Sequence, residues 1–153
     1  GQMEGAFKYV IEHGQCSNDE YPYTSGTTKT GGSCQSCSPV VEMASCSDVK
    51  PNDQMSLRAA VAQQPVAVAI EADTRYFQSY SGGILTSSSC GTNLDHGVLA
   101  VGYGTENGQD YWLVKNSWSS SWGERGYVKI GRSSSTNDPG ICGIAMQPSF
   151  PTV

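Results

Sequence analysis

The sequence predicts an α+β fold, with helices toward the amino terminus and an antiparallel sheet toward the carboxyl terminus. Apolar residues in the segment 3–11 recur at positions i, i+3, i+4, i+7 and i+8, which is the spacing of an amphipathic helix. Residues 97–146 instead form short apolar runs between polar turns, and one turn contains Asn107-Gly108, a strong hairpin signal. Helical segments followed by a run of strands are typical of the α+β class.

The first helix can end at Gly14, and the chain that follows reads as loops. Residues 15–50 are polar, rich in glycine, serine and threonine, and contain four of the six cysteines. We therefore expect this region to consist of loops that are held by disulfides.

A second helix is predicted to end near Ala62, with Asn52 or Asp53 as its N-cap. Pro65 prevents the helix from continuing, because proline lacks a backbone N–H and its ring clashes with the preceding turn. The apolar residues 66–70 then read as a short buried strand.

One histidine and one asparagine on the predicted hairpin are candidates for catalysis. The strand before the Asn107-Gly108 turn begins near His96 and the strand after it ends near Asn116, so antiparallel pairing brings the two together. A two-residue turn would place His96 opposite Ser119, and the pairing therefore predicts a longer or bulged loop. An imidazole held by an amide carbonyl is fixed in tautomer and orientation, which suits it to exchange a proton with a nucleophile. The alternative is an ordinary histidine at the end of a strand.

Composition excludes several classes of function. The net charge is −5 and the sequence pI is near 4.8, whereas a nucleic-acid-binding protein would need a basic patch. No apolar run approaches the ~18–20 residues that a membrane-spanning helix requires. Six cysteines in 153 residues indicate an oxidising compartment.

Several ordered motifs resemble those of papain-family cysteine proteases of the cathepsin L group. The similarity runs over nearly the whole chain, from Gly1 to Val153. The motifs that carry it are Asp95-His96-Gly97, Val101-Gly102-Tyr103-Gly104, the run from Trp112 to Trp118, Trp122-Gly123-Glu124 with Gly126-Tyr127-Val128-Lys129-Ile130, and Cys142-Gly143-Ile144-Ala145 with residues 149–153.

The resemblance implies a papain-like architecture, in which a helical left domain and an antiparallel β-barrel right domain enclose a cleft. Residues 1–48 would be the C-terminal part of the left domain. Residues 49–153 would be the right domain with its C-terminal tail.

The resemblance also implies a cysteine endopeptidase that hydrolyses peptide bonds through an acyl-enzyme. His96 would be the general acid and base, and Asn116 would orient it. In this family the nucleophile cysteine precedes the histidine by roughly 130–150 residues. We therefore expect it upstream of Gly1, on an N-terminal portion of the same enzyme that acts as a partner of this chain. No metal or organic cofactor is implied.

A cysteine pair within the chain superficially resembles the nucleophile motif. Cys37, in Cys34-Gln35-Ser36-Cys37, lies only 59 residues before His96 and is followed by serine, so a disulfide or loop role is favoured. A zinc site that uses these two cysteines and His13 is a rival interpretation, but no second ligand pair follows at suitable spacing.

Cys90 and Cys142 match the disulfide of the family's right domain. Cys34 resembles the cysteine whose partner lies upstream. The other three cysteines depart from the family pattern and could supply one extra bridge and one external partner: Cys16, Cys37 and Cys46.

Matching positions also imply a substrate pocket. Gly1 corresponds to the glycine that hydrogen-bonds the substrate backbone, and Asp95 is expected beside His96, outside the pocket floor. Small and apolar walls with a neutral Gln147 at the floor favour Leu, Phe or Val two residues before the cleaved bond. The positions that line this pocket are Met3, Ala69, Leu94, Gly97 and Gln147.

Two tryptophans belong to the same implied site. Trp118 would shield the histidine–asparagine hydrogen bond from water, and Trp122 would help to form the leaving-group side of the cleft. Ser119 is a departure, because the family usually has glycine after this tryptophan.

Two other classes of function compete with the protease. One is a non-proteolytic relative, either silicatein-like with a serine nucleophile or a binding protein without a nucleophile; Asp95 before His96 resembles the proteases more. The other is a small disulfide-rich binding module, which the apolar face of residues 3–11 disfavours. For the protease, we expect peptide or protein substrates, cystatin-type or propeptide inhibitors, and a lysosomal, vacuolar or secreted location.

Overall fold

The computed structural model of the chain describes residues 1–153, which form two compact units. The first unit comprises Gly1–Cys46 with Pro151–Val153, and the second comprises Ser47–Phe150. No helix in either unit combines the length and the apolar character that a bilayer crossing requires.

The first unit contains one long helix followed by loops. Helix α1 (Met3–His13) ends at Gly14, whose positive φ of 72° suits glycine and whose N–H bonds to the carbonyl of Val10 at 2.8 Å. A four-residue helix α2 (Ser25–Thr28) follows. The predicted amphipathic helix and the loop region are both confirmed.

A mainly antiparallel sheet runs through the second unit, and its first and last strands each include two residues that are assigned to the first unit. The strands are β1 (Ser45–Asp48), β2 (Val66–Ile70), β3 (Ile84–Leu85), β4 (His96–Glu106), β5 (Gln109–Lys115), β6 (Tyr127–Gly131) and β7 (Ser149–Thr152). Their order in the sheet is β1-β7-β2-β4-β5-β6-β3, in which β3 pairs parallel with β6 and the pairs that connect β7, β2, β4, β5 and β6 are antiparallel.

The β4–β5 hairpin closes through the tight two-residue turn that Asn107-Gly108 predicts. Both residues have positive φ, 52° and 80°, which matches the twist of the flanking strands. The expectation of a longer or bulged loop is wrong, because the irregularity is a β-bulge inside β4, between Ala100 and Gly102. The bulge shifts the register by one residue while the turn stays tight.

Helix α3 (Gln54–Val61) packs on this sheet and begins where the sequence predicts. The carboxylate of Asp53 accepts a hydrogen bond from the N–H of Ser56 at 3.0 Å. That bond, together with Lys50, lowers the pKa of Asp53. Leu57 lies on the buried face of the helix and is fully covered by the core of the second unit.

A fully buried glutamine joins α3 to the sheet. The side-chain oxygen of Gln54 accepts hydrogen bonds from Trp112 Nε1 at 3.3 Å and from the N–H of Ser133 at 3.0 Å. Its amide nitrogen donates to Ser133 Oγ and to Asp138 Oδ2 at 2.9 and 2.8 Å. Because every polar atom of the side chain is paired, the buried glutamine is tolerated.

Candidate active site

His96 and Asn116 meet at the open end of the β4–β5 hairpin. His96 is the first residue of β4 and pairs with Ile70 of β2, while Asn116 follows the last residue of β5. The ladder between β4 and β5 ends at Leu99 and Lys115, and the two side chains extend beyond it. His96 Nε2 lies 2.8 Å from Asn116 Oδ1.

The tautomer of His96 follows from the second bond that Asn116 makes. The backbone N–H of Ser117 donates to the same Asn116 oxygen at 2.8 Å, so this atom is the amide carbonyl. His96 Nε2 must then carry the proton that it donates, and in the neutral ring Nδ1 keeps its lone pair. Asn116 is 8% exposed and its Nδ2 is buried without a partner, so its oxygen alone sets its orientation. The pair therefore presents Nδ1 as a proton acceptor.

Aromatic rings surround the imidazole. The Trp118 ring lies 5.1 Å from the His96 ring with a tilt of 30°, and the edge-on Phe77 ring, on helix α4 (Arg75–Gln78), lies 6.5 Å away. Trp122 contacts both neighbours, at 5.0 Å from Phe77 and 5.4 Å from Trp118. These rings lower the local polarity around the hydrogen bond, which strengthens it.

The loop that carries both tryptophans is closed at its base. The N–H of Asn116 donates to the carbonyl of Gly126 at 2.9 Å, and the N–H of Gly126 donates to the carbonyl of Trp122 at 2.7 Å. Ser119 adopts a φ of 71°, a conformation that favours glycine. The serine at this position therefore keeps the turn geometry that glycine would have. Its left-handed backbone conformation costs roughly 1–2 kcal/mol of conformational free energy.

The remaining positions of the implied pocket are divided between the two units. Ala69 and Gly97 are direct neighbours across β2 and β4, and Gln147 is exposed in the second unit. In the first unit Gly1 is exposed and Met3 is half-buried.

Leu94 and Asp95 approach the site from the loop before β4. The half-buried Leu94 packs closely on Gly143. A Cβ built on Gly143 would lie 2.7 Å from Cδ2 of Leu94. Asp95 Oδ1 accepts a hydrogen bond from the N–H of Ala72 at 2.7 Å, and its own N–H donates to Ile70. The Asp95 carboxylate thus holds the loop that leads into His96.

The cysteines form two disulfides. Cys90 and Cys142, both buried, join two short 3₁₀ turns, Ser88–Cys90 and Ile141–Gly143. Cys16 and Cys37 form the second bridge. The free cysteines are Cys34 and Cys46. Because Cys37 is oxidised, its sulfur serves neither as a nucleophile nor as a zinc ligand in this structure.

Three further residues support the site, and the sequence alone assigned a role to none of them. Phe77 packs against His96, and Gly126 provides the carbonyl that holds Asn116. Glu124 accepts hydrogen bonds at the turn after Trp122. The family motif that runs from Trp122 to Ile130 contains both Glu124 and Gly126, whereas nothing local marks Phe77.

Comparisons with known proteins identify the family of this chain. The family described as papain family cysteine protease matches residues 1–152. The chain is 49% identical over 153 residues to "Probable cysteine protease RD21C" of Arabidopsis thaliana, covering 99% of this chain and 33% of that protein. It therefore spans about a third of the length of that curated relative.

Solved structures with a similar fold come from plants and insects. Bromelain from Ananas comosus, in complex with an inhibitor, superposes with a TM-score of 0.92 at 38% identity over 100% of this chain and 70% of that chain. Digestive procathepsin L 3 of Tenebrio molitor gives a TM-score of 0.89 at 43% identity, over 100% of this chain and 49% of that one. The fold is papain-like, and the chain belongs to the papain family of cysteine proteases.

Proposed function

We propose that this chain supplies the acid–base half of a cysteine endopeptidase. The observation that carries the proposal is the bond from His96 Nε2 to Asn116 Oδ1, whose oxygen also accepts from Ser117. This arrangement leaves Nδ1 of His96 able to take a proton from a thiol. The thiol would come from a cysteine outside residues 1–153, because the chain's own cysteines lack the family's nucleophile context.

The reaction would proceed in two stages. The thiol transfers its proton to His96, and pairing with the imidazolium lowers the pKa of such thiols to ~3–4. The thiolate attacks the peptide carbonyl, His96 protonates the departing amine, and an acyl-enzyme forms. Water, activated by His96, then releases the carboxylic acid and regenerates the thiol. Asn116 keeps the ring oriented throughout.

The surroundings of His96 have separate proposed roles. Trp118 shields the hydrogen bond from water, and Trp122 forms part of the leaving-group side. Ala69, Leu94 and Gly97 form an apolar wall for the substrate side chain two residues before the cleaved bond. Because Gln147 is neutral, an arginine at that substrate position would lose hydration without a carboxylate partner, which is costly.

We further propose that residues 1–48 are the C-terminal part of the left domain and residues 49–153 the right domain. The division of the chain into compact units near residue 46 supports this boundary. The two disulfides fit an oxidising compartment, so the proposed location is lysosomal, vacuolar or secreted. The proposed inhibitors of such a protease are propeptides or cystatin-type proteins.

A complementation experiment tests the reaction. The part of the Arabidopsis thaliana relative that precedes its match to Gly1 is joined to this chain, and hydrolysis of a fluorogenic peptide is measured. The chimera should hydrolyse the peptide, His96→Ala should remove the activity, and His13→Ala, which changes the only other histidine, should retain it. Residues 1–153 alone should be inactive. An active His96→Ala chimera, or activity of the lone chain that Cys37→Ala abolishes, would contradict the proposal.

A peptide library tests the substrate class with the same chimera. Peptides with Leu or Phe two residues before the cleaved bond should be preferred over Arg, since burial of such a side chain contributes ~1.5–3 kcal/mol. Gln147→Glu should raise kcat/KM selectively for the arginine peptides. A parent chimera that already prefers arginine would mean that the pocket is misassigned.

A further inference from the structure

A half-buried carboxylate anchors the turn that supports the His96–Asn116 pair. Glu124 Oε1 accepts a hydrogen bond from the N–H of Gly83 at 2.9 Å and lies 3.1 Å from the Tyr80 hydroxyl, whose single proton is shared with the carbonyl of Gly83. Glu124 Oε2 lies 3.5 Å from Lys129 Nζ. Burial by itself would raise the pKa of Glu124, but these hydrogen bonds and Lys129 outweigh it and lower the pKa, so the group is ionised at neutral pH.

One connection from Glu124 to the pair runs through the backbone. The N–H of Glu124 donates to the carbonyl of Tyr127 at 2.9 Å, and its carbonyl accepts from Tyr127 in return. The turn is tight, because a Cβ on Gly123 would lie 2.6 Å from the Tyr127 oxygen. The same turn presents the Gly126 carbonyl that accepts the N–H of Asn116. The position of Asn116 thus depends on the turn that the Glu124 carboxylate secures.

A second connection runs through aromatic rings. Tyr80, which contacts Glu124, lies 5.7 Å from the ring of Trp122. Trp122 contacts Trp118 and Phe77, and these two rings lie against His96. The Trp122 indole N–H also donates to the carbonyl of Gln78, on the helix that carries Phe77. Displacement of Tyr80 would therefore move rings that hold the imidazole.

We propose that Glu124 is a positioning residue for the His96–Asn116 pair. It does not touch the reacting atoms; its carboxylate holds the turn that carries the backbone partner of Asn116 and the ring that packs against Trp118. The effect on the pair follows from the structure, whereas the effect on turnover rests on the proposed function. Loss of the carboxylate should loosen the pair even where the fold survives.

Glu106 provides a matched control. It also pairs with Lys129, at 2.6 Å, and its side chain is 46% exposed against 37% for Glu124. Glu106→Ala and Glu124→Ala each leave Lys129 with one acidic partner. Only Glu124→Ala removes the acceptor for the N–H of Gly83 and one of the two oxygen atoms that share the Tyr80 hydroxyl proton. Both variants lose one negative charge beside Lys129. Any difference between them therefore reports the hydrogen bonds by which Glu124 holds the turn.

Nitrogen NMR of the His96 ring in the full chain tests the inference without any need for activity. In the neutral ring, the parent should populate the Nε2–H tautomer, and so should Glu106→Ala. Glu124→Ala should raise the fraction of the Nδ1–H tautomer. Glu124→Gln, which keeps an oxygen acceptor for Gly83, should restore most of the parent signal. If Glu124→Ala does not fold, Tyr80→Phe should shift the tautomer in the same direction while it keeps the ring.

Kinetics of the chimeric protease provide a second readout. Glu124→Ala should lower kcat about tenfold with KM nearly unchanged, because misplaced catalytic groups reduce the rate more than the binding of substrate. Glu106→Ala should match the parent. Equal tautomer populations and equal kcat in Glu124→Ala and Glu106→Ala would overturn the inference. An inactive parent chimera would instead count against the proposed function, and the NMR comparison would still decide the role of Glu124.

Discussion

Different interactions stabilise the interior of each of the two units of the chain. In the first unit Val10 is the one buried apolar side chain, and the loops are tied by the Cys16–Cys37 bridge and by hydrogen bonds such as Gln15 to Val41. The second unit packs a continuous core under its sheet, with Trp112 fully buried. A hydrogen bond of 2.8 Å between two catalytic candidates needs such a rigid frame, and both candidates lie in the second unit. The comparison predicts that chemistry and most of the stability depend on the second unit.

The largest effect should come from the His96–Asn116 pair in the chimeric protease. His96→Ala should nearly abolish turnover, because no other group replaces the acid and base. Asn116→Ala should leave measurable activity, since packing against Trp118 still partly orients the ring. Measurement of kcat for both variants checks this, and equal losses would contradict the division of roles.

The disulfides should affect the two units separately. In the chain-entropy model a bridge with the sequence separation of Cys16–Cys37 contributes about 3 kcal/mol, and the longer loop of Cys90–Cys142 about 4 kcal/mol. With its single buried apolar residue, the first unit should lose hydrogen-exchange protection throughout when both Cys16 and Cys37 are replaced by serine. Protection in β4 and β5 should persist. Loss of protection in those strands would show that the second unit also depends on the Cys16–Cys37 bridge.

Two valines of nearly equal burial can show how much of the stability cost of a substitution depends on packing in a large core. Val10 is 8% exposed and Val61 is 7% exposed, and both lie on helices, but Val61 alone belongs to the core cluster of the second unit. Val61→Ala should cost about 2 kcal/mol, from lost burial of two carbons and the cavity that remains. Val10→Ala should cost clearly less in chemical denaturation. Equal costs would mean that the first unit is packed as tightly as the second.

The smallest predicted effect is on the pH dependence of the second unit. The pKa values of Asp53 and Glu124 are lower in the folded chain than their ordinary values of about 4. The stability that these two carboxylates add to the folded chain is therefore fully present at a pH above the ordinary pKa values. It is lost as the pH falls through the lower pKa values of the folded chain. Asp53→Asn should flatten the decline of Tm below about pH 4, because asparagine still caps the helix without a charge to titrate.

The exposed Asp73 serves as the control for this substitution. Asp73→Asn should leave the shape of the Tm profile unchanged. A flatter profile for Asp73→Asn, or no change for Asp53→Asn, would contradict the assignment of the acid sensitivity to the cap of α3.

Much of the fold was accessible from sequence because its signals are local. The helical spacing of residues 3–11 predicted α1, and Asp53 with Pro65 bounded α3. The Asn107-Gly108 dipeptide predicted the hairpin turn, because its two residues tolerate positive φ. Antiparallel pairing then placed His96 near Asn116. The irregularity in the hairpin was predicted in the loop, but it lies inside β4.

The support around the pair was not accessible in the same way. The bulge in β4 sets the final register, and no local pattern marks it. Phe77 reaches His96 from a helix 19 positions earlier in the sequence, and Tyr80 meets Glu124 across 44 positions. Such contacts depend on how distant elements pack, which spacing along the chain does not encode.

The sequence by itself determined the elements, the turn and the candidate pair, because backbone preference and the spacing of apolar residues act over a few positions. Tertiary structure alone decided that Cys16 bonds Cys37, that the Gly126 carbonyl accepts the N–H of Asn116, and that the Glu124 carboxylate secures the turn that presents this carbonyl. These outcomes depend on distances of a few ångströms between groups that are far apart in the chain. Only the folded arrangement fixes those distances.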